Sequence, residues 1–227
     1  MRKIQRLRLV GTVVSAAALA VALAACGTPA PIPSDEPATS TPAAAPAPGA
    51  SPNGVTKPTD VFGPACNELP QAGEPGSAVR DATIPVGAAI AANPLLRSLT
   101  VALKKANLTD TLNQQKDVTV FATYDRGFTN FQQNMGPDRY NALVADQNAL
   151  GDVLKYHVVV KRYDRAGLVA AGSVTTLQGG SVKIKDDGDT LNITDNTGVT
   201  AHVLCGNIPT ANGTLFLVDQ VMQPKNP

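Results

Sequence analysis

The spacing of apolar positions changes along this chain. Leu95, Leu99 and Leu103 stand four residues apart, with Leu96 beside them, directly after Asn93-Pro94. Asparagine is a favoured cap and proline suits the first helical turn, so the spacing predicts an amphipathic helix from Pro94 to about Ala106. Residues 117–122 read as a short strand. Asp125 is placed to cap a helix carrying Phe128 and Phe131, Gly136-Pro137-Asp138 opens another, and a longer one covers residues 146–155. Tyr156-His157-Val158-Val159-Val160 reads as a buried strand. After Gly167 the period becomes two. Val182 and Ile184 alternate with Lys183 and Lys185, and Leu191 and Ile193 with Asn192 and Thr194. Asp187-Gly188 between them predicts a two-residue hairpin turn. Asn196-Thr197-Gly198 marks the next turn, followed by strands at residues 199–204 and 214–218. Helices in the first half and strands in the second predict an α+β domain.

Composition sets the boundaries. All nine Phe and Tyr residues lie at or after Phe62, which places one domain of ordinary size over residues 61–227. Residues 26–60 differ in kind. Nine of the chain's 18 prolines fall there, and Ile32 and Val55 are the only sizeable apolar side chains after Cys26. Such a segment buries too little surface to offset its ordering entropy. It is expected to be a stalk that reaches between roughly 30 Å as a coil and roughly 100 Å as polyproline II. Thr39, Ser40 and Thr41, flanked by Pro37 and Pro42, are candidate O-glycosylation sites on it.

Residues 1–25 read as a lipoprotein signal peptide. Arg2, Lys3, Arg6 and Arg8 precede an uncharged stretch from Leu9 to Leu23, and Leu23-Ala24-Ala25-Cys26 closes it. A cationic start, a short apolar core and a small-residue cleavage site are the marks of export. Cleavage before Cys26 leaves an N-terminal diacylglyceryl-cysteine, whose two acyl chains anchor firmly in a membrane. The formal net charge of +1 includes the four basic residues of this leader. Without them 15 basic stand against 18 acidic residues, a balance that argues against a nucleic-acid partner. With Cys26 lipidated, Cys66 and Cys205 remain. Two cysteines outside the cytoplasm are expected to form a disulfide, with two buried free thiols or a metal pair as the alternatives. The only imidazoles, His157 and His202, stand at no zinc-like spacing from a cysteine.

The usual signatures of catalysis are missing. There is no Gly-x-Ser-x-Gly elbow, phosphate-binding loop or dinucleotide fingerprint. Asp186, Asp187 and Asp189 lack the spacing and distal glutamate of a calcium loop and read as a solvated hairpin tip. No enzyme activity, metal or cofactor is expected. Asn107, Asn192 and Asn212 each begin a glycosylation sequon, here taken as coincidence, with Asn212-Gly213 better explained as a turn.

Three segments together resemble the fasciclin (FAS1) domain: Thr119-Val120-Phe121-Ala122-Thr123-Tyr124-Asp125-Arg126-Gly127-Phe128, Leu154-Lys155-Tyr156-His157-Val158-Val159, and the stretch from Asn212 to Pro224. The likeness runs from about Pro85 to Pro224. Segments around Cys66 and Cys205 are similar to those of the family's mycobacterial secreted and cell-surface members. The first block departs from the family pattern, with Thr123-Tyr124-Asp125 where Pro-Thr-Asn is usual. The resemblance implies helices packed on a twisted β-wedge, a monomeric domain, and adhesion by binding an extracellular protein or glycan. A carrier of lipid or another apolar molecule, with Leu95, Leu96 and Leu99 lining a groove, is the alternative. Tyr156 and His157 match a motif tied to receptor binding in animal relatives. Their apolar surroundings make a structural role the leading expectation.

Overall fold

The computed structural model describes Ser51 and residues 53–225; Cys26, Thr39, Ser40 and Thr41 lie outside these. Helices α1 (Ala78–Asp81), α2 (Val86–Ala92), α3 (Arg97–Lys105) and α4 (Thr109–Gln114) come first. Strand β1 (Val118–Thr123) follows, then α5 (Asp125–Met135), α6 (Pro137–Ala145) and α7 (Gln147–Lys155). After β2 (Val158–Val159) and α8 (Arg165–Ala171) the chain is all strand: β3 (Ser173–Thr175), β4 (Ser181–Asp186), β5 (Leu191–Thr194), β6 (Thr200–Thr210) and β7 (Gly213–Val218). The seven strands form one sheet in the order β2-β1-β7-β6-β5-β4-β3, in which only β1 and β7 run parallel. Its two ends curl towards each other, and Leu177, just past β3, donates its amide to the Val158 carbonyl of β2 at 2.6 Å.

The apolar pattern explains this arrangement. Every residue of β1 and β7 is buried, as expected of a parallel pair covered on both faces. Val118, Val120, Ala122, Leu215 and Leu217 face the helices with Leu96, Leu99, Leu103 and Leu112. Phe121, Phe216 and Val218 face the inside of the curl with Val182, Ile184, Leu191 and Ile193. On β4 the intervening lysines point to solvent, so the period-two reading there matches what the sheet does.

Local details differ from the sequence reading. The helix expected to start at Pro94 starts at Arg97. The Asn93 side chain instead accepts from the Leu95 amide at 2.9 Å and its carbonyl accepts from Leu96, making a separate turn. Asp125 does not cap its own helix. It is the first residue of α5, and its carboxylate accepts from the Ser98 amide at 2.7 Å, so it caps α3. Tyr156 and His157 are not in a strand. Tyr156 ends α7, and only Val158 and Val159 pair with β1, leaving Val160 exposed. The β4–β5 loop has four residues, because Asp186 pairs with Leu191 and the Asp187 amide bonds the Thr190 carbonyl. Helices α1, α2, α4 and α8, and strand β3, carry too few residues to show a period.

The N-terminal segment is fastened to the domain, including residues assigned to the stalk on composition. Asp164 accepts from the Ser51 amide at 2.6 Å, and Asn207 donates to the Asp60 carbonyl at 3.2 Å. Strand β6 outruns β5, whose pairing reaches only His202. Phe62 fills that open edge by exchanging backbone hydrogen bonds with Gly206, and the Ala65 amide donates to Leu204. A disulfide joins Cys66 to Cys205 immediately beyond, with 4.8 Å between the Cα atoms.

Candidate functional site

Tyr156 and His157 are the candidates carried by the sequence, and the junction of α7 and β2 places them. Asp146 caps α7 by accepting from the Asn148 and Ala149 amides, and the apolar face of Leu150, Val153 and Leu154 seats the helix on the core. The chain then turns into β2, where the His157 carbonyl accepts from the Phe121 amide at 2.9 Å. Both side chains end up inside. Tyr156 is fully buried and His157 is 5% exposed.

All side-chain polar atoms of the pair have internal partners. His157 Nδ1 lies 2.8 Å from the Val153 carbonyl, and Nε2 lies 3.0 Å from the Met222 amide. A carbonyl only accepts and an amide only donates, so the ring is neutral with its proton on Nδ1. Burial pushes its pKa down to about 4, with the Val153 carbonyl and Asp195 opposing in part. The Tyr156 hydroxyl donates to the Ser181 carbonyl at 2.8 Å and accepts from the Asn196 amide at 3.1 Å. Burial raises its pKa. A binding contact would need the pair exposed; buried, it instead ties α7 to β4, to the β5–β6 turn and to the C-terminal segment.

Asp195 completes the arrangement, although its sequence signal, an Asp opening Asn196-Thr197-Gly198, indicated only a turn. One carboxylate oxygen accepts from the Thr197 amide and hydroxyl and from the Val199 amide; the other accepts from the Gln223 amide at 2.9 Å. Asn212 was likewise read as a turn residue. Its side chain accepts from the Val86 amide and donates to the carbonyls of Leu112 and Gln115, joining α2 and α4 to the β6–β7 hairpin. The Asn192 side-chain nitrogen likewise donates to Asp187 at 2.6 Å, so the side-chain amides of both Asn192 and Asn212 are occupied within the fold.

The remaining candidates are dispersed. Asp186 forms a two-pronged ion pair with Arg165 at 2.7 and 2.9 Å, which holds its carboxyl below the usual range, and Asp187 pairs with Lys185. His202 bonds Asn192 at 2.6 Å. Among the described residues no three His, Cys, Asp or Glu side chains are grouped to hold a metal ion. Leu96 and Leu99, expected to line a groove in the carrier alternative, are packed in the helix-side core, with Leu95 half-buried against it.

Comparison with known proteins places this geometry. The fasciclin domain family model matches residues 94–224. Immunogenic protein MPB70 of Mycobacterium bovis is 34% identical over 172 residues, covering 73% of this chain and 83% of its own. Cell surface glycolipoprotein MPB83 of the same species is 31% identical over 231 residues, covering 92% and 93%. Among solved structures, the FAS1 domain pair of the insect cell adhesion molecule fasciclin I superposes with a TM-score of 0.53 at 17% identity, over 61% of this chain and 50% of that one. The helices packed on a nearly closed sheet are the FAS1 fold, and the chain belongs to the fasciclin family.

Proposed function

We propose that this chain is a non-catalytic surface protein, anchored outside the cytoplasmic membrane by lipid on Cys26, whose domain binds an extracellular protein or glycan. The extent of the likeness to the cell surface glycolipoproteins carries this reading. It takes in 92% of the chain, against 73% for the immunogenic proteins, and so extends past the folded domain towards the region of Leu23-Ala24-Ala25-Cys26. A lipid-bearing, surface-exposed relative supports an extracytoplasmic location and an anchor at that cysteine. The internal bonding of His157 supports a role without acid–base chemistry, because a general base must reach a substrate proton. The carrier alternative is less supported, because Leu96 and Leu99, two of the three leucines that motivated it, are packed in the core.

Two measurements test the proposal. Cys26→Ala should move the protein from the detergent phase to the aqueous phase or leave it unprocessed. Unchanged detergent partitioning of a correctly processed variant would overturn the anchor. The purified domain should bind selectively within an array of extracellular matrix proteins and cell-wall glycans. Failure on every surface, together with a stoichiometric lipid in organic extracts of the domain, would replace adhesion by carriage.

A further inference from the structure

Asp81 is a carboxyl group without a role in the contacts described so far. It ends α1, is wholly buried, and neither of its oxygens has a hydrogen-bond partner. Buried polar groups are nearly always paired, and an unpaired carboxylate is the costliest exception. The segment that carries it is held at both ends. Cys66 is tied to β6 by the disulfide, and the Val86 amide is tied to Asn212. Between them the ties are few. Leu69, Ala78 and Ile84 pack against the helix-side core, Asn93 donates to the Gly76 carbonyl at 3.5 Å, and the Ile84 carbonyl accepts from the Ala211 amide at 2.9 Å.

We propose that residues 67–84 form an acid-tightened flap, closed over β6 while Asp81 is protonated and loosened when it ionises. A protonated carboxyl is neutral and tolerates the apolar site, whereas the anion gains from leaving it. The surrounding charges do little to prevent this. Arg80, exposed on the same helix, is the charged side chain that pulls on Asp81, and the Gly76 amide pulls in the same direction without reaching hydrogen-bonding geometry. Glu68 and Glu74 of the same segment are exposed. Strand β6, against which α1 packs, offers His202 as its one ionisable side chain, and α2 offers none. Burial outweighs Arg80 and the Gly76 amide and raises the Asp81 pKa from 3.8 to about 7. Between those values the closed flap holds a proton that the open flap releases. Opening is therefore favoured about tenfold for each pH unit gained, and the effect levels off above about pH 7.

Amide hydrogen exchange on the intact chain tests this, because local opening is read residue by residue. After correction for the intrinsic pH dependence, protection of the Asp81, Ala82 and Ile84 amides should fall about 50-fold between pH 5 and pH 7, the last half-unit being blunted as the closed flap itself begins to ionise. Amides of α3 and β7 should not share that slope. In Asp81→Asn, which keeps the shape and cannot ionise, the flap amides should lose the pH dependence. Protection independent of pH in the natural chain would overturn the proposal, and so would one slope shared by the whole domain. A carboxyl-carbon titration of Asp81, which needs no variant, should have its midpoint near pH 7. A midpoint in the ordinary carboxylate range would equally overturn it.

Discussion

At His157 two hydrogen bonds of opposite sense meet one small ring. The Val153 carbonyl requires a proton on Nδ1 and the Met222 amide requires a lone pair on Nε2. A second proton would break the bond to Met222 and place a charge where water does not reach. The folded pKa of about 4 lies below the ordinary imidazole value of 6.5. Between these values the unfolded chain binds the extra proton, so this contribution to stability is complete above about pH 6.5. It is lost as the pH falls through about 4. Calorimetry at pH 7 and pH 4.5 should show a smaller acid-induced loss for His157→Gln than for the natural chain. His157→Ala should cost about 2–4 kcal/mol, through the void and the unpaired Val153 and Met222 groups. Any ligand affinity should fall only in proportion to the unfolded fraction. Lost binding at native stability would instead make Tyr156-His157 a contact site.

Elements report the same physics through their ends. Helix α3 has no side-chain cap of its own, and its Ser98 amide is met by Asp125 from α5, while the Asp125 amide donates back to the Leu95 carbonyl. The two helices therefore fix each other's start, and Asp125, standing where the family pattern has Asn, still offers a side-chain oxygen to the Ser98 amide. Asp125→Ala should destabilise the domain by about 1 kcal/mol in urea unfolding, and Asp125→Asn should recover most of it. If alanine has no effect, the contact is incidental. The sequence identified α7 because an apolar period and a local cap, Asp146, coincide there, and α5 from the spacing of its aromatic residues alone. It misplaced the start of α3 because the cap comes from 27 residues away, and no local pattern encodes such a partner. At the opposite end of the size scale, Gly206 shows what pattern cannot see. A Cβ there would lie 2.5 Å from the Phe62 ring, which itself stacks edge-on against Phe216 and under the Arg165 guanidinium. A Cβ at Gly206 would also lie 2.7 Å from the Phe216 ring of β7, so Gly206→Ala should loosen the N-terminal segment first, seen as faster exchange at the Phe62 and Ala65 amides with a smaller change in β7.

For the molecule as a whole, α+β segregation was legible because it depends on many residues at once, whereas β1 and β7 were legible as strands but not as a pair buried on both faces. The fastening of residues 51–65 was not, because backbone groups make most of its bonds and any sequence supplies those. Asp81 left no local mark either, since a lone aspartate in a short helix looks the same whether buried or exposed. The disulfide joins these themes. It links the docked segment to β6 across 139 residues of chain, and closing such a loop contributes roughly 4–5 kcal/mol by restricting the unfolded state. The two apolar layers and the sheet do not depend on it, and a domain of this size builds a sufficient core by itself. Reduction should therefore lower the melting temperature by roughly 10 °C and leave far-ultraviolet circular dichroism native at room temperature. It should also raise exchange at Phe62 and Ala65, whose hydrogen bonds to β6 flank the bridge. Collapse of the whole spectrum on reduction would show that the N-terminal segment is part of the cooperative core. An unchanged melting point would show that the backbone pairing with β6 already restricts the chain as fully as the covalent link.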